Sequence, residues 1–185
     1  MAVVVGISGS PRKNGNTDIL VKTALDECAK RGAKTVFLRL QNLKLNFCKA
    51  CLKCKEKGFC VQKDDMQKVY QLLHKADAVV LGSPVYFATV SAQMKTFMDR
   101  LIALIGKDFE SRLEKGKRAL LLFAQGAEGA NTFKYGLKPL VTTLRWLGCK
   151  VVGTVIADGI NELGEVRSKA RILSEVARLA NNLLV

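Results

Sequence analysis

Short runs of Val, Ile and Leu alternate along the chain with longer stretches of helical period. The runs at 3–8, 35–40, 78–83, 118–124 and 151–157 are almost continuously apolar, which predicts five strands buried on both faces. Between them, apolar positions recur every three or four residues over 17–31, 65–75, 92–105 and 132–147, with a last helix near 165–184. Strands alternating with helices predict a doubly wound α/β domain, its five-stranded parallel sheet covered on both sides. No repeat, low-complexity tract or linker interrupts the pattern. Residues 1–185 are therefore expected to form a single domain, with an insertion at about 41–63 after the second strand. A sheet of this kind takes its ligand beyond the carboxyl ends of the strands. The loops to inspect are those after strands one, three and four, together with the insertion.

The insertion holds an unusual stretch. Residues 47–60 read Phe-Cys-Lys-Ala-Cys-Leu-Lys-Cys-Lys-Glu-Lys-Gly-Phe-Cys, with four of the six cysteines spaced C-x2-C-x2-C-x5-C. Three thiolates two residues apart suit a tight turn around one soft, thiophilic centre. Structural zinc usually takes two separated C-x2-C knuckles, or one with a His pair, and neither is present. A disulfide framework needs an oxidising compartment, and unremarkable surface thiols are the plain alternative. The spacing resembles bacterial-type ferredoxin ligation, where the fourth cysteine of a run serves a second cluster. Only one run exists here, so the candidate ligands are Cys48, Cys51, Cys54 and the local Cys60.

Charge sharpens this picture. The net charge is +14, and residues 30–63 carry ten Lys or Arg against a single acid, Glu56. A nucleic-acid patch is one reading, but no recognition-helix, zinc-finger or RNP-type pattern accompanies it. Solvated lysines on a loop are another. A third is that Lys49, Lys53, Lys55 and Lys57 offset a net-negative cluster and steer an acidic redox partner. Hydrophobic residues make up 49% of the chain, yet no apolar run reaches the length of a membrane span. The opening Met-Ala-Val-Val-Val-Gly lacks the regions of a signal peptide and reads as a strand. Cytoplasmic placement, with free thiols and no membrane or nucleic-acid partner, is the expectation.

The first loop, 8–17, lies between a strand and a helix start, where backbone N–H groups and the helix dipole favour an anion. It matches neither GxGxxG nor GxxxxGK[ST], so a dinucleotide pyrophosphate or an ATP γ-phosphate is not indicated. Ser8, Ser10, Arg12, Asn16 and Thr17 instead suit a terminal phosphomonoester, though Ser, Asn and Gly can also simply build a turn and cap a helix. After strand three, Ser83-Pro84-Val85-Tyr86-Phe87 offers flat apolar faces for a planar ligand, or an ordinary aromatic core corner. After strand four, Ala124-Gln125-Gly126-Ala127 permits close backbone approach to a ring.

Together these motifs resemble a known family. Gly-x-Ser-Gly-Ser-Pro-Arg followed by Gly15-Asn16-Thr17 is similar to the FMN-phosphate loop of the NADPH-dependent FMN reductase branch of flavodoxin-like proteins. Ser83-Pro84-Val85-Tyr86-Phe87, then Ser91-Ala92-Gln93-Met94-Lys95 and Asp99-Arg100, resembles that branch's flavin-ring loop and following helix. The cysteine run leading into Lys63-Asp64-Asp65-Met66 resembles the compact motif of iron–sulfur flavoproteins. The resemblance spans the chain and implies FMN at the strand ends and a [4Fe-4S] cluster on the insertion. It implies that Ser8, Ser10, Arg12, Asn16 and Thr17 hold the phosphate, and that Ser83, Pro84, Val85, Tyr86 and Phe87, with Gln125 and Gly126, line the isoalloxazine. Ala-Gln-Gly stands in the third loop where relatives often carry Thr-Gly-Gly. It implies a homodimer or homotetramer passing electrons from a ferredoxin-type donor through cluster and FMN to an acceptor. A cluster-free NAD(P)H-dependent FMN or quinone reductase is the alternative, and a zinc-stapled nucleic-acid module leaves both ligand loops unexplained.

Other residues read as structural. His74 falls at a helix end, Cys28 and Cys149 as small core residues, and Met94, Phe97, Met98, Leu101 and Ile102 as a core stripe with a part to spare for a subunit contact. Pro139 predicts a helix start or a kink. Asp64 with Gln67 resembles a capping box.

Overall fold

Runs of β-branched and aliphatic residues become strands where both faces find cover. In the computed structural model, which describes residues 1–184, these are β1 (Val3–Ser8), β2 (Lys34–Arg39), β3 (Ala78–Tyr86), β4 (Thr89–Val90), β5 (Arg118–Ala124) and β6 (Lys150–Ala157). The helices are α1 (Asn16–Lys30), α2 (Lys53–Lys57), α3 (Met66–Lys75), α4 (Ala92–Arg100), α5 (Lys134–Trp146) and α6 (Ala170–Ala180). The sheet runs β2-β1-β3-β5-β6, all parallel. That is the flavodoxin-like order, with its switch point between β1 and β3.

Alternation along β5 shows how one apolar run serves two cores. Leu120 and Leu122 pack with Val21, Leu25 and Val176 of α1 and α6, whereas Leu121 and Phe123 pack with Met94, Phe97 and Leu140 of α4 and α5. All four are fully buried. Truncating any of them to Ala would cost about 2–5 kcal/mol.

Three details depart from expectation. The two-residue β4 pairs antiparallel with the end of β3 and is too short to leave a periodic signal. The helix expected over 92–105 stops at Arg100 and tightens into a 3-10 turn, Leu101–Leu104. The last one is three pieces, Glu165–Ser168 and Asn181–Leu183 being 3-10 turns that flank α6. Pro139 lies inside α5, which begins at Lys134, so Pro139 does not start the helix. No helix among the described residues is long and apolar enough to cross a membrane.

Candidate functional site

The loop after β1 turns back beside the N-terminus of α1. In the first turn of α1 the N–H groups of Asn16, Thr17 and Asp18 precede the first intrahelical bond, Ile19 N–H to the Gly15 carbonyl at 3.1 Å. The predicted polar side chains gather here, and several knit the loop itself. Ser8 donates to Asp18 Oδ1 at 2.6 Å, and Ser10 Oγ accepts from the Arg12 N–H at 3.2 Å. Arg12 Nη1 donates to the Asn161 carbonyl at 3.0 Å, and Asn16 Nδ2 to the Glu162 carbonyl at 2.9 Å. The segment after β6 therefore closes one side of the loop. Glu165 fastens that segment, accepting from the N–H groups of Asn161 and Glu162 at 2.7 and 2.9 Å. Those bonds hold its carboxyl below the usual glutamate value.

Beyond β3 the chain makes a two-residue hairpin to β4. Phe87 and Ala88 have φ of 45° and 66°, the sign a type I′ turn requires at both positions and that Asn-Gly normally supplies. Tyr86 is 43% exposed and Phe87 wholly so, which overturns the aromatic core corner. Pro84 is buried and Val85 half-buried. Ser83 is internal, donating to the Pro84 carbonyl at 2.8 Å and accepting from the Ser91 N–H at 3.0 Å. The hairpin sits on α5: Thr89 Oγ1 donates to the Gly136 carbonyl at 2.9 Å, and a Cβ at Gly136 would overlap the Ala88 carbonyl. After β5, Gln125 donates to the carbonyls of Ala127 and Gly129, both at 3.1 Å. Its Oε1 is buried without a partner among the described residues. Gly126 lies against the Asn161 side chain, which a Cβ would overlap.

The cysteine stretch leaves the sheet from its edge strand. Its neck is closed twice, by Lys44 N–H to Asp65 Oδ2 at 2.9 Å and by Asp65 N–H to the Lys44 carbonyl at 3.2 Å. Cys48 and Cys51 are exposed, Cys54 is buried and Cys60 half-buried. All four line one cavity of about 500 Å³, together with Arg100, Ile102 and Trp146. Ala50 and Leu52, on either side of Cys51, take left-handed φ of 48° and 54°. Alternating left-handed residues turn N–H groups toward one concave side, as at many Fe–S and phosphate sites. Among the described residues, no three His, Cys, Asp or Glu side chains are drawn together closely enough to hold a metal ion.

Arg100 organises the floor of that cavity. It is 1% exposed and forks onto Asp64 at 2.6 and 3.0 Å, while reaching the Asn46 carbonyl at 2.7 Å and Cys60 Sγ at 3.4 Å. Burial works to raise the Asp64 carboxyl, but hydrogen bonds from Arg100 and the Asn46 N–H hold it low. Gln67 does not complete a capping box with Asp64. Its amide instead donates to the carbonyls of Cys60 and Gln62 at 2.8 and 2.7 Å, fastening the cysteine stretch. Lys55 is not part of a solvated collar, since Nζ donates to the carbonyls of Ile105 and Gly106 at 2.7 and 3.1 Å. Arg112 braces the same place through the Cys54 carbonyl at 3.0 Å. Lys49, Lys53 and Lys57 stay exposed.

Cys28 and Cys149 are core residues, as expected. Burial pushes the Cys28 thiol up to about 11 and also raises that of Cys149. His74 is exposed at the end of α3. Met94, Phe97, Met98 and Leu101 are buried, while Ile102 is 39% exposed at the cysteine cavity. Sequence reasoning gave no separate role to Asp18, Arg39 or Arg100. Arg100 had a signal, a cation within the apolar stripe of α4. Asp18 and Arg39 had none, because their meeting depends on β2 lying beside β1.

Residues 2–161 match the family described as NADPH-dependent FMN reductase. The chain belongs to that family. It is 50% identical over 97 residues to an iron–sulfur flavoprotein of Methanocaldococcus jannaschii, covering 52% of this chain and 50% of that protein. It is 46% identical over 98 residues to one of Archaeoglobus fulgidus, covering 53% and 44%. The chain thus spans about half the length of the relatives it matches. In fold it is similar to an NAD(P)H:quinone oxidoreductase of Methanothermobacter marburgensis, with a TM-score of 0.78 at 15% identity over 99% of this chain and 96% of that one. The resemblance to iron–sulfur flavoproteins of this family holds, and so does the flavodoxin-like fold.

FMN fits the residues present. A helix N-terminus closed by Arg12 and Asn16 suits its phosphate, exposed Tyr86 and Phe87 suit its ring, and the unpartnered Gln125 Oε1 suits a ring N–H donor.

Proposed function

We propose that this chain is an electron-transfer oxidoreductase, with FMN on the strand-end loops and a [4Fe-4S] cluster on Cys48, Cys51, Cys54 and Cys60. The observation that carries the reading is that four thiols in C-x2-C-x2-C-x5-C spacing open onto one cavity in a member of an FMN reductase family. The donor set is right for iron–sulfur chemistry, and the left-handed residues around Cys51 add N–H groups suited to its negative charge. When bound, the cluster supplies one-electron exchange and FMN two-electron exchange.

The chain's own residues bind and orient. Ser8, Ser10, Arg12, Asn16 and Thr17 form the phosphate loop, with the helix N-terminus supplying N–H groups. Ser83 fixes the turn from which Pro84, Val85, Tyr86 and Phe87 line the ring, with Gln125 and Gly126 opposite. Arg100 donates to Cys60 Sγ and fixes that side chain at the cavity. Lys55 and Arg112 hold the cysteine stretch against the turn after α4, and Gln67 holds it against α3. The exposed lysines Lys49, Lys53 and Lys57 form the dock for an acidic ferredoxin-type donor, and the assembly is a homodimer or homotetramer.

Protein purified without oxygen is expected to show two flavin bands above a broad brown absorbance, with about four iron and four sulfide per chain. Flavin with no iron after anaerobic reconstitution would instead support a cluster-free NAD(P)H-dependent reductase. Reduction by an acidic ferredoxin should slow as salt is added. A rate unchanged by ionic strength would remove that donor.

A further inference from the structure

A buried ion pair lies beneath the loop after β1. Asp18 is fully buried and accepts from Ser8 Oγ at 2.6 Å and from the Asn14 N–H at 2.9 Å. The second of these bonds holds Asn14 in a left-handed conformation, φ 57°. Arg39 comes from the last position of β2, where the parallel register sets it beside Ser8. Its Nε approaches Asp18 Oδ2 to 2.9 Å without an aligned N–H, so the contact is one of charge with charge. Nη2 donates to the carbonyls of Ser10 and Pro11 at 3.5 and 3.3 Å, and Nη1 to Asn42 Oδ1 at 3.3 Å. Among the described residues, every polar contact of these two side chains goes to the loop, to each other or to Asn42.

We propose that Asp18 and Arg39 are a positioning pair that makes this loop selective for a phosphorylated flavin over an unphosphorylated one. The inference rests on the FMN reading above. An unneutralised carboxylate under the loop would repel a phosphate dianion at low dielectric. Arg39 cancels that charge. It also draws the Ser10 and Pro11 carbonyls toward itself, so that their lone pairs do not oppose an anion. Asp18 holds the Ser8 hydroxyl and the Asn14 peptide in place. The loop is left with a neutral base and with the N–H groups of Asn16, Thr17 and Asp18 at the start of α1.

The test is titration of flavin-stripped full-length protein with FMN and with riboflavin. Wild type is expected to prefer FMN by about tenfold or more, the scale of one well-made charge contact. Arg39→Met should lower FMN affinity by about tenfold while leaving riboflavin within about twofold. Adding Asp18→Asn to that variant removes the stranded charge and should recover about threefold of the FMN affinity. Arg39→Lys keeps the charge without the fork and should lose about threefold toward FMN alone, which serves should Arg39→Met not fold. Equal losses for both flavins in the folded variants, an unchanged FMN affinity, or a double variant no better than the single would each overturn the pair's role. A wild-type protein that binds neither flavin would overturn the FMN reading itself, and this inference with it.

Discussion

At the scale of single residues, the site is marked by backbone conformations that its sequence does not favour. Phe87, Ala88, Ala50 and Leu52 all hold positive φ without being glycine, a conformation costing about 1–2 kcal/mol each for an L-residue. Such strain persists where surrounding structure enforces it, and it concentrates at ligand-binding turns. Ala88→Gly should stabilise the fold by roughly 0.5–1 kcal/mol, the relieved strain exceeding the entropy of the added glycine. Urea unfolding of the two proteins measures this, and a loss of stability would refute the strain argument. The thiols divide just as sharply. In protein treated with a chelator, iodoacetamide under native conditions should modify Cys48 and Cys51 fastest and spare Cys28 and Cys149, which are buried and held protonated. Peptide mass mapping would show it.

At the scale of elements, the starts of the strands were legible to within a residue because each opens an apolar run. The runs at 3–8 and 118–124 coincide with β1 and β5, but β3 runs on to Tyr86 and β2, at the edge, is only partly buried. The grouping of four cysteines on one cavity and of the polar residues at the start of α1 was legible too, since both are local in sequence. What stayed hidden is whatever depends on tertiary neighbours. The Asp18–Arg39 and Asp64–Arg100 pairs join residues 21 and 36 positions apart. The switch of Gln67 from cap to fastener requires the cysteine stretch to fold over α3. The segment from Asn161 to Glu165 is a further case, and Glu165 makes it pH-sensitive. Its lowered carboxyl contributes stability that is complete above the unfolded glutamate value and is lost as pH falls through the depressed one. Glu165→Ala should therefore lower the melting temperature at pH 7, with the gap to wild type closing toward pH 3. A gap that widened on acidification would reverse the sign and discard the explanation.

At the scale of the molecule, two chemically different regions share one edge of the sheet. The loops after β1, β3 and β5 are built around the switch point, whereas the cysteine stretch hangs from β2, the edge strand. Exposed Leu52 and Trp146 line its cavity, and Phe47 and Phe59 are exposed on the same stretch. Exposed apolar side chains gathered on one stretch of a charged chain fit a homo-oligomeric contact, which light scattering at varied concentration would test.

The two hydrogen bonds that close the neck at Lys44 and Asp65 have a consequence for how the chain can be edited. They bring the start and end of the stretch together before any cysteine is reached, so residues 46–63 leave and rejoin the chain at one neck. Arg100, Arg112 and Gln67 tie the stretch down further along. Asp64 would remain to pair with Arg100 after the stretch is withdrawn, though the Asn46 and Cys60 contacts would go. Replacing 46–63 by two glycines should leave a soluble protein that binds FMN and holds no iron. If flavin binding vanished along with the iron, the two halves would be one cooperative unit and the socket an illusion. If it survives, the same socket could accept other metal-binding inserts beside an unchanged flavin.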